Sequence, residues 1–308
     1  MLKGLALTPP AIGRIAIGKV VEKNGKRLPE KDDEFTITSQ VQLKDGWVLH
    51  PVDEVLRKDS SAKLRSIPVR LLFGDPDLSL RAKYTLFERT TGRPLCVGDG
   101  ESCRRVTSSG MKSLPCPAPH ACSLAVAGAC KPYGRLHVRI DAGDGTGNEV
   151  GCDELGSFVF RTTGFNSIRT LLARLHYFHA VSGGLLATLP LELRLRGKST
   201  AMSHRAPIYY VDLTTRTGST LVQTIAQAKE LHEARLVAGM DQAALDEAAR
   251  LGLARGDFEE TEEEGAAVVD EFYQVDGEGQ DSGGKPELLE KLRQKAGRNP
   301  SPISETAG

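Results

Sequence analysis

Over most of the first ninety residues apolar positions alternate with polar ones, a period of two that predicts strands. Residues 15–21 (IAIGKVV) and 34–38 (EFTIT) are two such runs, and the link between them contains Asn24-Gly25, a strong hairpin signal. Residues 67–73 (IPVRLLF) and 84–88 (YTLFE) continue the pattern. After a segment rich in Gly, Pro and Ser, residues 136–140 (LHVRI) put Leu136, Val138 and Ile140 on one strand face, and 157–161 (SFVFR) read as a further strand.

The period then changes. Ile168, Leu171, Leu172, Leu175 and Phe178 recur at helical spacing, with Asn166 and Ser167 as N-cap candidates and Gly183-Gly184 as the stop. Residues 189–196 (LPLELRLR) alternate most regularly, sending the leucines one way and Glu192, Arg194 and Arg196 the other, and 208–213 (IYYVDL) supply a neighbour strand. Residues 219–254 read as two helices separated near Gly239, with Asp241 capping the second. From residue 257 the chain turns polar and acidic, a composition expected to stay disordered.

The cysteines change the picture. Five of six fall between positions 96 and 130, and Cys152 alone lies outside. Scattered core thiols would not bunch in this way. No secretory signal is visible near the N-terminus and no run approaches a membrane span, so the expectation is a cytoplasmic protein with reduced thiols. The spacing Cys96-x19-Cys116-x5-Cys122-x7-Cys130 offers four thiolates, the donor set of a closed structural zinc site. Cys103 competes with Cys96 for one place, and His120 is a weaker substitute. These elements predict an α+β protein with a mostly antiparallel sheet core and one packing helix over residues 1–218. A zinc-binding insertion falls at about 94–132, a helical extension at 219–256 and a disordered acidic tail at 257–308.

Charge is distributed unevenly around a net of zero. Residues 257–281 hold eleven acidic side chains and no Lys or Arg, whereas residues 1–256 hold 35 basic against 26 acidic. A basic body with an acidic tail suits nucleic-acid binding tempered by a self-masking tail, and equally suits plain solubilising charge. Arg194, Arg196, Lys198, His204 and Arg205 crowd one strand end and the start of the next, with Ser199, Thr200 and Ser203 as added hydroxyls. Arg194, Arg196, Lys198 and Arg205 are the candidates for contact with DNA or a partner.

Other constellations are weaker. His176 and His179 share a helix, but a core or capping role suits them better than ligation. Residues 141–149 (DAGDGTGNE) miss the spacing of a calcium loop and read as a hairpin turn. H-E-x-x-H, G-x-S-x-G and P-loop patterns are absent from the sequence, which removes motif support for three common enzyme classes.

Several stretches together resemble a family. GRIAIG (13–18), NGKRLP (24–29) and DEFTITS (33–39) look like the opening of the phage recombination directionality factors that partner large serine integrases. LCVGDGE (95–101), Cys116, Cys122 and Cys130-Lys-Pro-Tyr-Gly-Arg-Leu136 resemble that family's cysteine segment, and TGFNSI (163–168) fits the helix that follows. The resemblance spans roughly residues 1–215 and implies a non-enzymatic accessory factor in the recombination of a mobile element. Such a factor binds the integrase on DNA and changes which attachment sites it joins. A direct nucleic-acid-binding protein, with single strands as one candidate ligand, and a zinc-containing hydrolase are the rivals. An aromatic content of 5% weakens the first and the missing motifs weaken the second.

Overall fold

The computed structural model describes residues 10–23, 26–43, 46–57, 59, 62–142, 156–199, 207–253, 268–269 and 272. The architecture is α+β: a twelve-stranded, mostly antiparallel sheet with six helices among the described residues. β1 (Ala11–Lys23) and β2 (Lys26–Leu43) form the expected hairpin, Lys23 opposite Lys26; Asn24 and Gly25 lie outside the described residues. A short β3 (Gly46–Leu49) edges β2, and α1 (Pro51–Arg57) packs behind it.

The sheet branches at the long strand β9 (Cys130–Ile140). One edge of β9 takes β10 (Ser157–Thr162), whose other edge carries β1 in parallel. Its second edge takes β4 (Ser66–Leu71) at one end and β5 (Leu80–Phe87) along the rest. The one-turn helix α2 (Pro76–Ser79) is the excursion between those two strands. Beyond β4 come β11 (Leu191–Lys198) and β12 (Ile208–Thr215). Residues 64–65 bend this arm back, since Leu64 O accepts from Phe35 N at 2.6 Å and Arg65 O from Leu195 N at 2.9 Å.

One face of the sheet is apolar. Ile15, Ile37, Val69, Leu136, Val138, Phe158, Leu191 and Leu193 are all buried there. α4 (Phe165–Val181) lays the predicted stripe on it, with Leu171 and Leu175 fully buried, each contributing about 2 kcal/mol. Close approach needs Gly134, where a Cβ would stand 3.0 Å from Ile168 Cγ1. The helix begins earlier than the expected cap, with Gly164 as N-cap. Ser167 is instead buried inside the first turn, and its hydroxyl accepts from Val211 N at 3.1 Å, satisfying the edge of β12.

The segment read as an insertion at about 94–132 begins with a meander of β6 (Pro94–Gly98), β7 (Ser102–Thr107) and β8 (Gly110–Pro115) that extends the sheet from β5. A four-residue α3 (Ala118–Ala121) follows it. Two helices follow β12 as predicted: α5 (Leu221–Val237), with Thr220 and Gln223 in a capping box, and α6 (Gln242–Leu253), where Asp241 accepts from Ala244 N at 2.9 Å. Most of the acidic tail lies outside the described residues. Val268 and Phe272 do not follow the expectation of disorder: they are helical and buried. No helix among the described residues is long and apolar enough to cross a membrane.

Candidate metal centre and basic surface

Cross-strand register gathers the cysteines. Leu86 stands opposite Cys96 on one side and Cys130 on the other, so all three project from the face that α4 covers further along. Two residues on, Gly98 stands opposite Cys103, and Cys116 enters where its N–H meets Glu101 O at 2.8 Å. Gly98 makes the room. A Cβ there would lie 2.7 Å from Cys103 Cβ and 2.9 Å from Cys116 Sγ. The Asp99 carboxylate fixes the β6–β7 turn by accepting from Ser102 N and Glu101 N, both at 2.8 Å, and those bonds hold its pKa below the usual carboxylate value.

Five free thiols result. Burial pushes Cys103 up to about 11 and Cys130 up to about 12, with neighbouring thiols adding to both; Cys96, Cys116 and Cys122 are the neighbours of Cys130. The Arg105 guanidinium lies across the group, donating to Cys96 Sγ at 3.5 Å and to Cys103 Sγ at 3.9 Å. Among the described residues no three His, Cys, Asp or Glu side chains are arranged to hold a metal ion as they stand. The predicted ligands Cys96, Cys116, Cys122 and Cys130 thus share one neighbourhood without closing on a point. Cys103, known from spacing only as a competitor, lies among them, whereas His120 is exposed.

What holds this segment is not apolar burial. No residue from Arg104 to Pro132 is buried. Its turns include Ala118 at φ 59° and Ala127 at φ 54°, a left-handed conformation that residues with a Cβ avoid unless their surroundings impose it. The donor chemistry, soft thiols at a reduced, strained and coreless segment, fits structural zinc.

The opposite face of the sheet is basic. β5, β9 and β10 contain no Asp or Glu. Arg81 stands opposite Arg135, which in turn stands opposite Arg161, and Arg139 stands opposite Arg70. His137 sits half-buried in their midst. Its pKa is pushed down to about 3, by burial first and then by the charges of Arg135, Arg81 and Arg161. Periodicity revealed the apolar side of these strands, but their polar side became a continuous basic field only through pairing.

The predicted basic run lies at the far margin of this face. Arg194 and Arg196 leave β11 opposite its leucines, as expected, but carboxylates meet them there. Arg194 pairs with Glu192 and donates to Thr217 Oγ1 at 2.6 Å. Arg196 pairs at 3.4 Å with Asp212, which also holds Arg174 at 2.9 Å. Lys198 Nζ donates to Asn166 Oδ1 at 2.7 Å. Arg205 and His204 lie outside the described residues.

Comparison with known families matches residues 12–216, from β1 through β12, to a Gp3-like, recombination directionality factor-like family. The chain belongs to that family. Neither the curated proteins nor the solved structures gave a match. The thiol cluster and the basic face both lie within the directionality-factor portion. α5, α6 and the buried pair Val268 and Phe272 lie beyond it.

Those added helices dock with specific contacts. Asp246 accepts from Gly74 N at 2.9 Å, Asp75 N at 3.1 Å and Gln242 Nε2 at 2.8 Å, and its burial raises its pKa. Arg250 pairs with Asp75 at 2.9 Å. Between the directionality-factor core and the two helices is a cavity of about 560 Å³, lined in part by His176, His179, His232 and Arg235. His179 Nδ1 contacts Gly74 O at 2.9 Å, so it joins α4 to the turn before α2 instead of capping its own helix.

Proposed function

We propose that this protein is a non-enzymatic accessory factor in the recombination of a mobile element, controlling which attachment sites its large serine integrase joins. The observation that carries this reading is the family match over residues 12–216, two thirds of the chain. The basic sheet face supports a DNA contact as part of that role. Rows of Arg and Lys without alternating carboxylates suit phosphates, and phosphate contacts position a protein without reading sequence. Arg194, Arg196 and Lys198 would extend this surface, with Arg194 and Arg196 partly committed to Glu192 and Asp212, and Arg205, outside the described residues, is kept as a candidate from the sequence.

Zinc would serve structure here. Four of the five clustered thiols, Cys96, Cys116, Cys122 and Cys130 with Cys103 as substitute, would hold it and keep the strained turns in place. A closed thiolate site leaves no open position for substrate. This separates the reading from a zinc-containing hydrolase.

The test is recombination between defined attachment sites by a large serine integrase from the same mobile element, with and without the protein. The expected outcome is inhibition of one site pairing and activation of the reverse. An integrase indifferent to the protein would refute the directionality role. Tight single-strand binding in the same preparation would favour the nucleic-acid-binding alternative.

A further inference from the structure

The tail is not simply appended to this molecule. Val268 and Phe272 are one helical turn apart and share a side, and both are fully buried. Phe272 packs edge-on against Phe87 at 4.8 Å and Tyr133 at 6.0 Å, and Lys131 Nζ donates to its carbonyl at 3.2 Å. By strand alternation Phe87, Lys131 and Tyr133 lie on the same sheet face as Arg81, Lys83 and Arg135. Val268 and Phe272, which belong to a stretch of sequence with eleven carboxylates and no cation, therefore sit at the rim of three adjacent strands, β5, β9 and β10, that carry no Asp or Glu. Asp270 and Glu271 fall between Val268 and Phe272 in sequence, and Glu262, Glu263 and Glu264 precede Val268 by four to six residues. That length spans up to about 20 Å extended, while β5 and β10 are only about 10 Å apart across β9.

We propose that residues 257–281 are the resident occupant of the basic sheet face, seated by Val268 and Phe272, and that they compete there with DNA phosphates. The arm makes DNA binding conditional: DNA gains the face only as the carboxylates leave it. The competition rests on the reading of that face as the DNA surface; the seating of the arm does not.

Two measurements on the full-length chain test it, using Val268→Ser with Phe272→Ser to remove the anchors and Glu→Gln at 259, 260, 262, 263 and 264 to remove charge. In the first, zero-length carbodiimide coupling should join carboxylates of 257–281 to Lys83 or Lys131 in the wild type, and the anchor variant should lose those cross-links. In the second, both variants should bind duplex DNA roughly tenfold more tightly than wild type at about 50 mM salt, the curves converging as salt rises. Absence of the cross-links from wild type overturns the seating and leaves the DNA surface standing. Cross-links without any gain in DNA affinity overturn the competition and count against that surface. A gain confined to the anchor variant overturns the role of charge and makes the arm an apolar strut.

Discussion

His137 is a histidine that folding keeps neutral. Burial and three surrounding arginines lower its pKa from 6.5 to about 3. Between those values the unfolded chain binds the proton and the folded one does not, so stability rises with pH across that window. The contribution is complete above about pH 6.5 and is lost as pH falls from there toward 3. His137→Gln should therefore reduce the acid sensitivity of the denaturant midpoint between about pH 7 and pH 4, with little change at the upper end. An unaltered pH profile would show that the ring is not shielded as the structure has it. Nothing in the local sequence marks this residue, because the arginines come from β5 and β10 as well as from its own strand.

At the scale of elements, the docking of α6 hinges on few groups. Leu245 and Ala249 pack on Leu72, Phe73 and Leu78, a small cluster separate from the main core. Asp246 supplies the polar half of the joint by receiving two backbone N–H groups from the turn before α2. Asp246→Ala would leave Gly74 and Asp75 N–H groups without that acceptor, at a local cost of about 1–3 kcal/mol. The expected result is faster amide hydrogen exchange in α6 and the turn at 74–75, with β9, β10 and α4 unchanged. Uniform loss of protection would mean that α6 is integral to the core. The helices themselves were legible from spacing and from Asp241, but Asp246 was not. Its partners lie about 170 positions away, beyond any periodicity.

For the whole molecule the main question is what the thiol cluster holds together. The main apolar core draws on no buried residue between Leu80 and Leu136, so the cysteine meander and the core are energetically distinct. Purified, reduced protein should contain about one zinc per chain. Chelation should open residues 94–129 to protease while the β2–β1–β10–β9 core and α4 stay protected, because ligation and folding are coupled only where the ligands are. A single cooperative collapse on metal removal would contradict that division. Among the five single Cys→Ser variants, only the one lacking the spare thiol should keep full zinc content.

Several features followed from the sequence alone. The β1–β2 hairpin, the strands around Val138, Phe158, Leu193 and Val211, the α4 stripe and the α5–α6 pair all rest on interactions within a few residues. Periodicity, caps and turn chemistry report such interactions directly. The clustering of the cysteines was likewise visible, and so was the family. The strands β6, β7 and β8 were not, since β6 is short and buried without alternation, and β7 and β8 bury only Cys103 between them and carry no apolar period to read. Nor could sequence show that Gly98 makes room for Cys103 and Cys116, or that Arg194 and Arg196 face Glu192 and Asp212. It could not show that Phe272 of an acidic tail is seated against Phe87 and Tyr133. Each of these depends on which strand lies beside which. That is settled by long-range pairing and burial in the folded sheet, where residues far apart in sequence first acquire neighbours.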